Sequence, residues 1–201
     1  AAPALAVALR APRARAAFAA QGGVALLAAR LNDAGGGAQL KYEVAFSLWC
    51  LSFEEDAPDD FVRSHAVEAL CGAVAAAPRE KVVRVAVTAL LNAARDDAAA
   101  TRMVGAGLGT TLASMASRPF ADDDVKAAVG ELATRVKSVS KELSTLERYA
   151  AEVASGKLRW GPVHSEAFWV EHAKAAEKDD FALVRRLVEV LSEATGDVEA
   201  L

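Results

Sequence analysis

Three histidines, two cysteines and one glycine-rich segment are the residues of this 201-residue sequence whose types and spacing invite a chemical reading. His164, Glu166 and His172 lie close enough together to ask about zinc. A zinc-binding helix sets two histidines four residues apart with a glutamate between them, whereas these two are eight apart and Pro162 stands just ahead of them. No metal site is expected from them, and His65 stands by itself. Gly105-Ala106-Gly107-Leu108-Gly109 superficially suggests a phosphate loop. A dinucleotide fingerprint needs a third glycine where Thr110 stands, with a strand before it, and a Walker loop needs a lysine after its last glycine. The segment reads instead as a turn between two helices. No serine sits in a Gly-x-Ser-x-Gly elbow, and Cys50 has no histidine nearby in sequence to pair with. Cys50 and Cys71 both fall in apolar helical patterns without metal-type spacing, so they read as buried free thiols of a reducing compartment. Neither a catalytic residue nor a metal ligand nor a cofactor is expected.

The elements that hold these residues are helical. Hydrophobic residues make up 53% of the chain but aromatics only 6%, and a composition rich in Ala, Leu and Val favours helices over sheets. A net charge of -4 argues against a general nucleic-acid binder and suits a protein that meets other proteins. No run approaches the ~18 apolar residues that span a bilayer. The apolar start, Ala1 to Leu5, is short, and Arg10, Arg13 and Arg15 follow it, the reverse of a secretory signal's order. With no initiator Met and a helix under way, the chain reads as a piece of a longer one.

Internal repetition sets the architecture. Middle helices are expected to begin near Gly23-Val24, Ala66-Val67 and Gly107-Leu108, at spacings of 43 and 41 residues between Val24, Val67 and Leu108. Third helices are expected near Lys41, Lys81 and Asp124. Three helices on a period of about 40–43 residues are the armadillo/HEAT signature, so the fold class expected is all-α, an armadillo/HEAT-like right-handed α-solenoid. Each unit buries its apolar face only by stacking on its neighbours. Val44, Leu48 and Leu51, then Val82, Val85, Ala89 and Leu90, carry the helical spacing of that face, with Lys41, Glu43 and Arg84 between them. Gly35-Gly36-Gly37, Pro58, Pro78 and Pro119 mark the connections. The acidic stretch from Glu54 to Asp60 reads as a solvated linker whose last aspartates cap the next helix, or else as a docking patch for a basic partner. Val125, Val129, Leu132, Val136, Val139, Leu143 and Leu146 form a heptad seam; a long final helix covering the last repeat is favoured over a partner-binding coiled coil. After Gly156 and Gly161-Pro162, a short helix near Ser165 and another capped by Asp179 or Asp180 follow. The latter carries Leu183, Val184, Leu187, Val188 and Leu191 on one face.

Nuclear-import receptors resemble one another in a Trp-x-x-x-Asn ladder on the third helix. Here Trp49 is followed by Phe53 and Asn92 is preceded by Thr88, so neither repeat carries both members. Two other stretches carry a family likeness. Lys41-Tyr42-Glu43-Val44-Ala45-Phe46-Ser47-Leu48-Trp49-Cys50-Leu51-Ser52-Phe53 is similar to the third helix of a late repeat in the H subunits of vacuolar-type proton ATPases. Ser155-Gly156-Lys157-Leu158-Arg159-Trp160-Gly161-Pro162-Val163-His164, followed by Phe168-Trp169, resembles that family's junction between N- and C-terminal domains. Gly161 replaces the family's serine there, and one residue fewer precedes Phe168. The likeness runs over roughly residues 13–201.

The resemblance implies 1–155 as armadillo-like repeats of the N-terminal domain, 156–164 as the junction and 165–201 as the start of the C-terminal domain. It implies a non-catalytic, cofactor-free, regulatory and scaffolding component of the proton pump. Its partners would be the E–G peripheral stalk, the a subunit of the membrane sector and the catalytic-sector subunits, with no nucleic acid and no insertion into the membrane. Its place would be the cytoplasmic face of vacuolar and endosomal membranes, or the cytosol when dissociated. Leu158, Trp160, Pro162, Val163, His164, Phe168 and Trp169 would close the junction by packing, or contact another component of the pump. A free-standing armadillo adaptor is the alternative.

Overall fold

The computed structural model describes residues 2–33, 37–77, 79–158 and 161–194, with the backbone alone at 178–180 and 194. Every regular element among the described residues is helical. In order these are α1 (Ala2–Ala8), α2 (Pro12–Ala20), α3 (Gly23–Asn32), α4 (Ala38–Leu51), α5 (Ala57–Arg63), α6 (Ala66–Ala76) and α7 (Glu80–Ala93). Then come α8 (Asp97–Gly105), α9 (Leu108–Met115), α10 (Asp123–Leu143), α11 (Leu146–Ser155), a 3-10 turn (Pro162–His164), α12 (Glu166–Ala176) and α13 (Lys178–Ala194). No helix among them is long and apolar enough to cross a membrane. Packing divides the chain into two compact units, 1–139 and 140–201.

In the first unit the expected periodicity becomes three ranks of helices. First helices pack α5 on α8, middle helices α3 on α6 and α6 on α9, and third helices α1 on α4 and α4 on α7. The middle helices start where the repeat spacing puts them. Val44, Leu48, Leu51, Val82, Val85, Ala89 and Leu90 are all buried, in one core that runs from Leu9 to Val136. Such helices gain most of their stability from this shared face rather than from propensity. Pro58 stands in the first turn of α5, where its missing N–H costs nothing. Asp59 and Asp60 lie beside it in that turn. Residues 34–36 and Pro78, expected as connections, lie outside the described residues.

Each middle helix is entered through a left-handed residue: Gly22 (φ 75°), His65 (φ 56°) and Gly107 (φ 71°). Glycine takes this conformation without a Cβ penalty and histidine does not. A second demand for glycine is steric. A Cβ on Gly23 would stand 2.6 Å from the Phe18 carbonyl oxygen.

Hydrogen bonds one repeat apart tie the stack together. Asn92 Nδ2 donates to Ser52 Oγ at 2.9 Å, Arg95 donates to the Glu54 and Glu55 carbonyls, and Arg118 donates to the Ala77 carbonyl at 3.2 Å. Arg135 Nε donates to the Ala94 carbonyl at 3.0 Å while its guanidinium also reaches Asp97 at 2.5 Å. Both carboxylate oxygens of Glu80 accept backbone N–H bonds, from Ala121 and Asp122, and so fix the approach to α10.

The heptad seam divides between the two units. Val125, Val129, Leu132 and Val136 are buried in the repeat core, so α10 covers the last repeat. The helix then stops at Leu143, and Thr145 N-caps α11 by accepting the Arg148 N–H at 3.2 Å. Leu146 belongs to the second unit's core, which α11, the 3-10 turn and α12 build around Tyr149, Val153, Val163 and Phe168. The division at 139/140 therefore falls ahead of the junction that the resemblance set at 156–164, because the apolar side of α11 packs forward in sequence. The apolar face expected of α13 is also split. Leu183 and Leu187 pack on that core, while Val184, Val188 and Leu191 are exposed.

Candidate functional site

The reactive residue types do not assemble into a catalytic centre among the described residues. His65 is the left-handed residue before α6, with Glu68 3.7 Å away. His172 stacks on Phe168 with ring centroids 4.3 Å apart, and its Nδ1 lies 2.9 Å from the Phe168 carbonyl. His164 packs against α11. No group of three metal-ligating side chains converges among the described residues. Gly105 closes α8 and Leu108 opens α9, with Gly107 left-handed between them, so the glycine-rich segment is the turn its spacing suggests. Cys50 and Cys71 are buried free thiols. Burial, reinforced by the nearby Glu68 carboxylate, pushes the Cys71 thiol up to about 12. Burial also raises Cys50, against the opposing pull of Arg15 and Arg10. A thiol held protonated is a poor nucleophile at neutral pH.

The junction residues assemble in the second unit. Gly156, at φ 70°, ends α11 in a left-handed conformation that favours glycine. Leu158 is partly buried against the core. Pro162 opens the 3-10 turn, which drives Val163 inward to 3% exposure. His164 clasps the turn from the other end: its Nδ1 accepts the Gly161 N–H at 3.2 Å, and its own backbone N–H donates to the Gly161 carbonyl at 3.0 Å. With Nδ1 accepting, the ring hydrogen belongs on Nε2, which faces Glu152 Oε2 at 3.3 Å. Ser165 then accepts the Phe168 N–H and starts α12.

Aromatic rings fill the centre. Tyr149 meets Trp169 edge-on at 4.9 Å, and Phe168 meets Trp169 at 5.3 Å and 87°. Tyr149 also contacts the His164 ring at 5.6 Å. Perpendicular pairs of this kind add about 0.5–1.5 kcal/mol each beyond area burial. Burial, with Glu152 adding to it, raises the Tyr149 hydroxyl above its ordinary value. Of the expected junction set, Val163, His164, Phe168 and Trp169 come together, Leu158 and Pro162 border them, and Trp160 lies outside the described residues. Tyr149 and Glu152 join this cluster without belonging to the junction motif. The signal that could find them is spacing, since Tyr149, Glu152 and Val153 fall on one side of α11. Among the described residues the arrangement is one of ring packing and polar clasps.

Comparison with known proteins gives the cluster its context. A family model for the V-ATPase H subunit matches residues 1–136, and a second model of the same description matches 142–200. The sequence is 32% identical over 200 residues to a probable V-type proton ATPase H subunit from Oryza sativa subsp. japonica, covering 98% of this chain and 44% of that one. It is 30% identical over 178 residues to a V-type proton ATPase H subunit from Drosophila melanogaster, covering 84% of this chain and 36% of that one. Against the V-type proton ATPase H subunit from Dictyostelium discoideum it is 27% identical over 154 residues, covering 76% and 35%. The chain thus spans less than half the length of these curated relatives. Among solved structures, two engineered proteins are similar in fold. One has a TM-score of 0.60 at 22% identity over 95% of this chain and 43% of its own length. The other has a TM-score of 0.58 at 19% identity over 96% and 89%. The junction motif closes a core of its own just after the break between the two matched regions, and the chain belongs to the family of V-ATPase H subunits.

Proposed function

We propose that the chain acts as a non-catalytic, regulatory and bridging part of a vacuolar-type proton ATPase. It would join the E–G peripheral stalk to the membrane-sector a subunit, on the cytoplasmic face of vacuolar and endosomal membranes, and so influence ATP hydrolysis. The observation that carries this reading is that two regions matching the family of V-ATPase H subunits, 1–136 and 142–200, follow one another within the chain. In this reading Leu158, Pro162, Val163, His164, Phe168 and Trp169 keep the second region folded, and coupling to the pump runs through surfaces elsewhere. The chain is expected to retain the E–G stalk in a pull-down at low ionic strength, where surface electrostatics are least screened. No retention under those conditions would overturn the pump reading and leave the free-standing adaptor in its place.

A further inference from the structure

Within the first unit, a cavity of about 440 Å³ lies where the ends of α3 and α6 meet the starts of α4 and α7. A volume of this size falls in the range of small-molecule sites. Leu31, Ala76 and Val82 give it apolar walls, and Asn32, Lys41 and Arg79 are its polar members. Gly72 of α6 also lines it, and a Cβ built on Gly72 would meet nothing within 4 Å. The next repeat boundary is furnished differently. Arg118 donates to the Ala77 carbonyl 41 residues back, and lies 5.8 Å from the Phe120 ring, which packs on the core. At the same offset, Ala77 and Arg79 stand where Arg118 and Phe120 do. The first boundary therefore has a methyl group and a guanidinium in the places of a guanidinium and a ring.

The charge of the cavity has one sign. Among the described residues, two cations and no carboxylate line it. Neither Lys41, which is half-buried, nor Arg79 has a hydrogen-bond or ion-pair partner among those residues. The carboxylates nearest in sequence are engaged elsewhere: Asp33 with Arg30, Glu43 with Gln39, and Glu80 with the Ala121 and Asp122 N–H groups. Helix ends of both signs border the cavity, so their dipoles oppose one another and the two side chains set its charge. No aromatic ring lines it among the described residues, so nothing there selects a planar ligand by stacking.

We infer that this cavity binds a small amphipathic anion: a single apolar chain bearing one carboxylate, of the size of a medium-chain fatty acid. The chain lies against Leu31, Ala76 and Val82 in the space over Gly72. Its carboxylate meets Lys41 and Arg79, with the Asn32 amide as a neutral donor beside them. Charge-assisted hydrogen bonds of this kind are the strong ones, and Arg79 can offer two parallel donors to one carboxylate. The inference draws on α3, α4, α6 and α7 alone, so it does not depend on the pump reading, and loss of stalk binding would leave it standing.

The test titrates the full, isotope-labelled chain with decanoate, decylamine and decanol, each below its micelle concentration, and follows amide signals by NMR. Decanoate is expected to shift Gly72, Ala73 and the Asn32 side-chain amide saturably. It should bind at least about tenfold more tightly than decylamine or decanol, and weaken as salt rises. Combined Lys41→Gln and Arg79→Gln should weaken it about tenfold or more. Gly72→Leu, which fills the cavity from α6, should abolish the local shifts without lowering the melting midpoint. The charge variant, at positions that reach solvent, carries the test if Gly72→Leu fails to fold. Absence of a saturable shift at Gly72, or shifts confined to the exposed Val184 and Val188 of α13, overturns the inference. So does equal binding of decylamine or decanol, or an affinity unchanged in a folded variant.

Discussion

His65 occupies a backbone conformation that its two repeat-equivalents, Gly22 and Gly107, fill with glycine. A left-handed residue with a Cβ costs roughly 1–2 kcal/mol, and the 3.7 Å approach of Glu68 at an exposed site returns little of that. His65→Gly is therefore expected to stabilise the protein by about 1 kcal/mol. Thermal unfolding checks it: an unchanged or lower midpoint sinks the idea. Gly23 and Gly130 make a matched pair at the same scale. Alanine at Gly23 meets the Phe18 carbonyl and should cost about 1–3 kcal/mol. Alanine at Gly130, exposed within α10 with no neighbour inside 4 Å, should gain about 0.5–1 kcal/mol. Opposite signs in chemical denaturation are the expected result. Cys71 sets an alkaline limit. Its folded value of about 12 lies above the ordinary 9.0, so the stability it contributes is complete below pH 9 and is lost as pH climbs toward 12. Cys71→Ala should flatten that loss relative to the parent, and the two proteins falling in parallel would refute it.

At the scale of elements, almost every helix is legible in the sequence, and the reasons are physical. The periodic apolar face recurs at nearly constant spacing, so the starts of α3, α6 and α9 follow from a single offset. The break between α10 and α11 is less visible, because no glycine or proline marks it and the heptad spacing runs straight through. Only Thr145, a good cap followed by Glu147 in the first turn, announces it. Of the junction cluster, the aromatic and proline members stand out as unusual residues in unusual places. Glu152 and Tyr149 do not, since a polar residue on an amphipathic helix usually faces solvent. Replacing the cap tests how much the new boundary matters. Thr145→Ala should cost about 1 kcal/mol, with amide exchange rising first in α11.

Across the whole molecule, the two units own separate cores of very different size. The first draws on buried residues from Leu9 to Val136, the second on Tyr149, Val153, Val163 and Phe168 with a few flanking side chains. A small core loses a larger fraction of its stability to one truncation. Phe168→Ala, at 3% exposure, should cost about 3–5 kcal/mol and strip amide protection from residues 140–194 while leaving 2–139 protected. Leu48→Ala, fully buried in the first core, should do the reverse at a cost of about 2–5 kcal/mol. Loss of protection in both regions from either change would show that the two cores are not independent.

The arginines that reach back one repeat carry a wider consequence. Arg95, Arg118 and Arg135 each address a main-chain carbonyl, and every amino acid presents the same one. The side chain at the receiving position is therefore free to drift without breaking the link. A stack joined this way can diversify its outer faces, repeat by repeat, while its register stays fixed. Grafting a foreign loop surface onto one repeat should succeed as long as its arginine and the receiving turn are kept.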